Sequence, residues 1–244
     1  MRAVNILEPA ARWAPPLLVP VAILAAWQAG PDAYARWVSA PNSIMENALG
    51  VVLVVALITS IYAFFRPETP RHRHLRAWLA VWCLGIFYFL GEDLNWGQYI
   101  FGWQPAEFFI EHNKEAETNL HNMSTWFNQK PRLAVQLWIL IAGFLVPLGW
   151  RWPRRTTANF VPAILWPGRE TMWLALFAAI LPAFEWIAIA MLGPGLGGVP
   201  IRFSEIQEFF FAWFFLLYAI DLTGRLRTAD AAAIDAKAAR THAE

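Results

Sequence analysis

Apolar residues run almost unbroken through six stretches of the chain, with polar residues collected in the breaks between them. A helix needs about 20 mostly apolar residues to cross a hydrocarbon layer ~30 Å thick at ~1.5 Å rise per residue. Six segments meet that length: Trp13–Ala29, Ile44–Phe65, Ala77–Phe101, Leu133–Trp150, Thr171–Leu192 and Phe203–Gly224. The pattern predicts an all-α membrane protein with six transmembrane helices, a single polytopic domain over residues 1–224 and a tail over 225–244. The first segment is the least regular, because Pro15, Pro16 and Pro20 crowd its start; a basic start followed by a short apolar run also fits a signal peptide. The Ala-rich tail of mixed charge reads as a frayed helix or a disordered end.

Composition points the same way. Apolar residues make up 58% of 244, with 15 Trp and 18 Phe, against about 45 to 50% apolar in a soluble domain. Mean hydropathy is +0.38. The net charge of +1 is uninformative as a sum, and nothing suggests nucleic acid. Its sidedness is informative. With the N-terminus inside, the inner segments hold 14 of the 19 Lys and Arg, and the outer ones keep Arg36, Lys114, Lys130, Arg132 and Arg202. This predicts an N-in, C-in arrangement in a bacterial cytoplasmic (inner) membrane, with 11 acids on the outer side. Cys83 is the only cysteine, which excludes an internal disulfide and reads as a small packing residue.

The long break, Gly102–Arg132, carries Phe108, Phe109, Leu120, Met123, Trp126 and Phe127, so one or two short interfacial helices are expected there, with Pro105 in a first turn. This gives a helical extracytoplasmic loop between helices 3 and 4.

Candidate chemistry gathers on that side. The third span ends in Gly91-Glu92-Asp93-Leu94-Asn95-Trp96-Gly97-Gln98. An ionisable group at the centre of a spanning helix costs ~2.5–3.5 kcal/mol, so such residues face the bundle or water. As a continuous helix the segment puts Gly85, Tyr88, Glu92, Asn95 and Tyr99 on one face, with Asp93 about 100° away. Glu92 and Asp93 are the candidate catalytic acids; the plainer reading has both marking the helix end at the water interface. Glu185, 14 residues beyond Thr171, falls ~21 Å deep, level with Glu92 at ~22 Å. Lying between Phe184 and Trp186, it must be protonated, cation-bound or paired with a base such as Arg132 or Arg202. Glu205 and Glu208 reach the same layer from the last span, although Ser204 as N-cap with Gln207 explains acids at a helix start equally well. Asp221 has Arg225 four residues on, as for a surface pair.

The loop stretch Glu117-Thr118-Asn119-Leu120-His121-Asn122 is the most suggestive. If helical, it aligns Asn113, Glu117 and His121, and a Glu and His four apart can both reach a divalent metal ion. His112 is a weaker second ligand, and a solvated loop histidine is the ordinary alternative. Phosphate-loop, serine-nucleophile and HExxH motifs are absent.

Glu92, Asp93, Trp96, Gly97 and Gln98, followed by Glu117, Asn119, Leu120, His121 and Asn122, resemble uncharacterised bacterial multi-pass membrane proteins that carry a Glu-Glu/Asp-x-x-Trp-Gly-Gln stretch and then a Glu-x-Asn-Leu-His-Asn stretch. The resemblance covers about 30 residues. It implies that the two stretches form one site and implies no particular activity.

The leading expectation is a polar, metal-binding site near the outer leaflet, in contact with membrane lipid and acting on a lipid-linked substrate. In it Glu117 and His121 hold the metal, Glu92 or Asp93 is the base, and Asn95, Gln98, Asn122, Glu185 and Glu208 contact substrate. The alternatives are a cation- or proton-coupled transporter, using Glu185 and Glu92, and a non-catalytic subunit or assembly factor with protein partners.

Overall fold

The computed structural model describes residues 7–40, 42–66, 73–149, 165–192 and 203–241, and these are helical and loop segments with no strand among them. In chain order they form α1 (Leu7–Gln28), α2 (Pro31–Tyr34, passing into a π turn over Ala35–Ser39), α3 (Ile44–Phe64), α4 (Arg73–Asp93), α5 (Gln98–Phe101), α6 (Glu107–His112), α7 (Thr125–Trp138), α8 (Met172–Leu192) and α9 (Phe203–Thr241). Beyond Trp138 the chain continues α7 as a wide π segment, Ile139–Leu145, and ends in a short turn at Val146–Leu148. The expected end of the fourth span at Trp150, Arg202 as a partner for Glu185, and the bases Arg2, Arg71, Arg151, Arg154 and Arg155 lie outside the described residues.

Among the described residues, five stretches are helical, long and apolar enough to cross a bilayer: Pro31–Phe64, His74–Asp93, Gln129–Leu148, Arg169–Met191 and Phe203–Thr228. Their outward faces are apolar. Val51, Ile58, Leu84, Trp186 and Met191 are all more than half exposed, a distribution that costs free energy in water and none in lipid. The chain is therefore a membrane protein. The expected first span is a helix of 22 residues, but its three prolines and Arg12 dilute its apolar character and it is not among the five.

α9 is the axis of the bundle. Phe210, Phe214 and Tyr218 are fully enclosed, and α3 and α8 pack along α9. The helix does not stop at Gly224; it runs 39 residues to Thr241. Small residues bring its neighbours close. A Cβ on Gly143 would lie 2.7 Å from the Ala175 Cβ and 2.8 Å from the Phe214 ring, so the π segment touches α8 and α9 almost backbone to ring. At one end of the bundle Arg12 of α1 pairs with Asp221 of α9 at 2.8 Å. This corrects the expected Asp221–Arg225 pair: the Arg225 Nε donates instead to the Asp221 backbone oxygen at 3.3 Å, and its Nη1 donates to the Trp166 carbonyl.

The opposite end carries the long loop, and there the third expected span is shorter than its apolar pattern suggests. α4 stops at Asp93. Three consecutive residues then adopt positive φ, Asn95 at 50°, Trp96 at 53° and Gly97 at 85°, and the chain turns away before α5. Left-handed backbone costs roughly 1–2 kcal/mol for a residue with a Cβ, so the turn needs external restraint. Trp96 supplies part of it by packing its ring on Gly91, where a Cβ would approach within 2.8 Å.

Candidate functional site

The break after Asp93 brings the two acidic, amide-rich stretches into contact. Glu92 stays in the last turn of α4, where only 4% of it is exposed. Its Oε1 accepts from the Trp96 indole N–H at 3.0 Å, and its Oε2 accepts from the backbone N–H groups of Leu120 and His121 at 2.7 and 2.9 Å. The His121 Nδ1 lies 3.6 Å from the same Oε2. One carboxylate thus closes the strained turn and clamps a loop 28 residues away in sequence.

The amides complete the junction. Asn119 is fully enclosed; its Nδ2 donates to Asn95 Oδ1 and, at 3.0 Å, to Glu117 Oε2. Asn113 Nδ2 donates to the Asn119 Oδ1 at 2.8 Å, while the Asn113 Oδ1 accepts from the N–H groups of Glu115 and Glu117. Gln98 Oε1 accepts from both the N–H and the hydroxyl of Thr118 at 2.8 Å. Residues 113–124 are consequently loop, not helix. Side-chain acceptors satisfy backbone donors that a helix would have paired internally. The expected helical row Asn113, Glu117, His121 does not form; the three are joined through Asn119 and Glu92 instead. α6 is the one short helix in this loop, and Pro105 lies just ahead of its cap residue Ala106. His112 is exposed there, against Phe108.

Glu117 is held on both oxygens. Oε1 accepts from the Tyr99 hydroxyl at 2.6 Å, and Oε2 accepts from Asn119 and, at 3.1 Å, from Asn122. Among the described residues no group of three His, Cys, Asp or Glu side chains is gathered closely enough to hold a metal ion. The hydrogen bond to Glu117, followed by burial, pushes the Tyr99 phenol up from its usual 10 to about 12. A folded value above the unfolded one means that the contact stabilises the loop fully below pH ~10 and is lost as the pH rises through about 12. Difference absorbance between the native protein and Tyr99→Phe is expected to show phenolate appearing at about 12, and in Glu117→Gln at a lower pH.

Two cavities meet at this junction. The first is a polar chamber of about 560 Å³, lined by Glu46, Asp93, Asn95, Tyr99, Glu115, Glu117, His121, Asn122, Arg132, Glu185, Glu205 and Glu208. Arg132 is paired with Glu208, and Glu185 and Glu205 bear on its charge. Of the expected site residues, Asp93, Asn95, Glu117, His121, Asn122, Glu185 and Glu208 share this chamber. Gln98 and Glu92 do not line it and instead hold the loop that does. Glu46 was not among the expected site residues; it lies in the first turn of α3, where Ser43 Oγ accepts from the Glu46 N–H at 3.2 Å and Glu46 Oε2 accepts from the Asn42 N–H at 2.7 Å.

The second cavity is an apolar groove of about 370 Å³ between α4 and α7, floored by Phe211 and Phe215 of α9. Trp78, Trp82 and Trp138 make its inner wall, the Trp82 and Trp138 rings 4.8 Å apart. Its rim includes Val81, Gly85, Tyr88 and Ala134, which are exposed on the apolar flank of the bundle, so the groove opens sideways where lipid chains would lie. Both volumes fall in the ~300–1,000 Å³ range of small-molecule sites. Asp93, His121, Arg132 and Glu208 line both cavities. Asp93 stands out, since its Oδ2 is buried without a hydrogen-bond partner among the described residues. Most buried polar atoms are paired, so an unpaired carboxyl oxygen on a residue that lines two cavities singles that residue out as a functional candidate.

Comparisons of the chain with family models, with curated proteins and with solved structures return no match, so a functional reading rests on this geometry.

Proposed function

We propose that the protein is a membrane-embedded binding site for an amphiphile, a lipid or lipid-linked molecule whose chain occupies the Trp-lined groove and whose head occupies the polar chamber. The observation that carries this reading is the sharing of Asp93, His121, Arg132 and Glu208 by an apolar groove and a polar chamber. A purely polar solute would have no use for the groove, and a purely apolar one none for seven carboxylates. Asp93 and His121 are the groups placed to exchange a proton with a head that carries one. Glu92, engaged by three donors, serves as the positioning residue that orients the His121 segment.

The setting we propose is a bacterial cytoplasmic membrane, with α1 as a sixth span, both termini inside and the chamber outside. The bias of Lys and Arg supports that orientation.

The test is selective retention. Purified protein in nanodiscs is incubated with a polar lipid extract of a bacterial membrane, and the bound and released lipids are read by mass spectrometry. The native protein should retain one lipid class beyond the bulk composition, and Asp93→Asn should lose that selectivity. Bound lipid matching the bulk composition in the native protein would contradict the proposal.

A further inference from the structure

The charge of the chamber says what kind of head it takes. Seven carboxyl groups line it against one guanidinium and one imidazole, so the lining stays net negative even with the most enclosed of them protonated. That guanidinium, Arg132, already pairs with Glu208 and has Glu185 and Glu205 around it. The donors that hold Glu117 are the neutral groups of Tyr99, Asn119 and Asn122, which satisfy its oxygens without cancelling its charge. Excess negative charge in a partly enclosed, low-dielectric space raises the local concentration of cations and opposes anions.

The acids alone would say little, because clustered carboxylates at a membrane surface can simply be solvated. The independent observation is Asp93, which lines both cavities where the first polar atom beyond an apolar chain would arrive, and whose Oδ2 is buried with no donor among the described residues. We infer that the site selects amphiphiles with a cationic head, an amine or quaternary ammonium attached to a single long chain, and rejects anionic heads such as phosphate monoesters. This rests on the amphiphile reading above and deepens it by naming the head-group class. One groove between α4 and α7 with a single Trp-closed inner end suits one chain.

The experiment uses three fluorescent probes with one common chain and a trimethylammonium, a phosphocholine or a phosphate head, titrated against the full chain in nanodiscs of zwitterionic lipid. The cationic probe should bind at least tenfold more tightly than the phosphate probe. Asp93→Asn and Glu185→Gln should each cut that preference threefold or more, and high salt should erode it. Equal binding of the three probes, or preference for phosphate, would overturn the inference. Gly85→Leu, which fills the groove, separates the two failures. If it abolishes binding of all heads equally and no charge preference exists, the amphiphile reading stands and the cationic assignment falls. If the cationic probe binds Gly85→Leu as well as it binds the native protein, the amphiphile reading falls too, because the probe is then held by surface charge alone.

Discussion

Glu92→Ala is expected to release residues 113–123 from the end of α4. Three donors lose their acceptor together, the Trp96 indole and the backbone N–H groups of Leu120 and His121. A hydrogen bond to a charged group contributes ~1.5–3 kcal/mol net, and a buried donor left unpaired is costlier than one that was never made. The loop can open to water and recover part of that loss, so the net effect is set at about 3 kcal/mol, a factor on the order of 100 in the opening equilibrium. Hydrogen exchange should show the Leu120 and His121 amides losing protection by that factor while α9 amides keep theirs. Glu92→Gln retains one acceptor oxygen but turns an NH₂ toward a donor, and should fall between. Unchanged protection in Glu92→Ala would mean that the turn at Asn95–Gly97 and the Asn113–Asn119 network hold the loop without the carboxylate.

The second large effect concerns the groove. A Cβ built on Gly85 meets nothing within 4 Å, although Gly85 lines the groove in the middle of α4. A leucine there projects into open space, and replacing a mid-helix glycine also favours the helix by roughly 0.5–1 kcal/mol. Gly85→Leu should therefore keep or raise thermal stability while lowering amphiphile binding at least tenfold. That combination distinguishes a blocked site from a damaged fold. Gly143→Leu is the matching control, since its first added atom already collides with Ala175 and Phe214, and it should destabilise the bundle instead. If Gly85→Leu bound amphiphiles like the native protein, the groove would not be the place where the chain sits.

Much of this was readable from residue pattern. Span length and apolar runs identify α3, α4, α7, α8 and α9, because burial in lipid depends on local composition alone. The polar layer was also legible: Glu92, Glu185 and Glu208 were level by residue count, and Asp93, Glu185 and Glu208 do line one chamber. What failed was helical periodicity past Asp93 and across 113–121. Asn95, Trp96 and Gly97 look helix-compatible by apolar pattern, but their positive φ angles are stabilised by partners more than twenty residues away, such as Asn119 and the Glu92 clamp on Leu120. Tertiary hydrogen bonds overrode local propensity there. For the same reason the roles of Glu92 and Asp93 separate only in three dimensions. Adjacent acids look equivalent in sequence, yet Glu92 is saturated with donors and Asp93 keeps an oxygen with no partner among the described residues. The apolar groove left no trace in sequence, since Trp78, Trp82 and Trp138 read as ordinary lipid-facing or core aromatics.

In the proposed complex a single molecule reaches from the Trp-lined groove through the junction at Asp93 into the acidic chamber. A probe with one photoactivatable group at its chain end and another on its head, cross-linked to the protein in nanodiscs and mapped by peptide mass spectrometry, tests it directly. Chain-end adducts are expected on the walls around Trp78, Trp82 and Trp138, and head adducts on His121 and its neighbours in the 113–122 loop. Chain-end adducts confined to outward residues such as Ile58 and Leu84, with head adducts at the Arg12–Asp221 end, would contradict it.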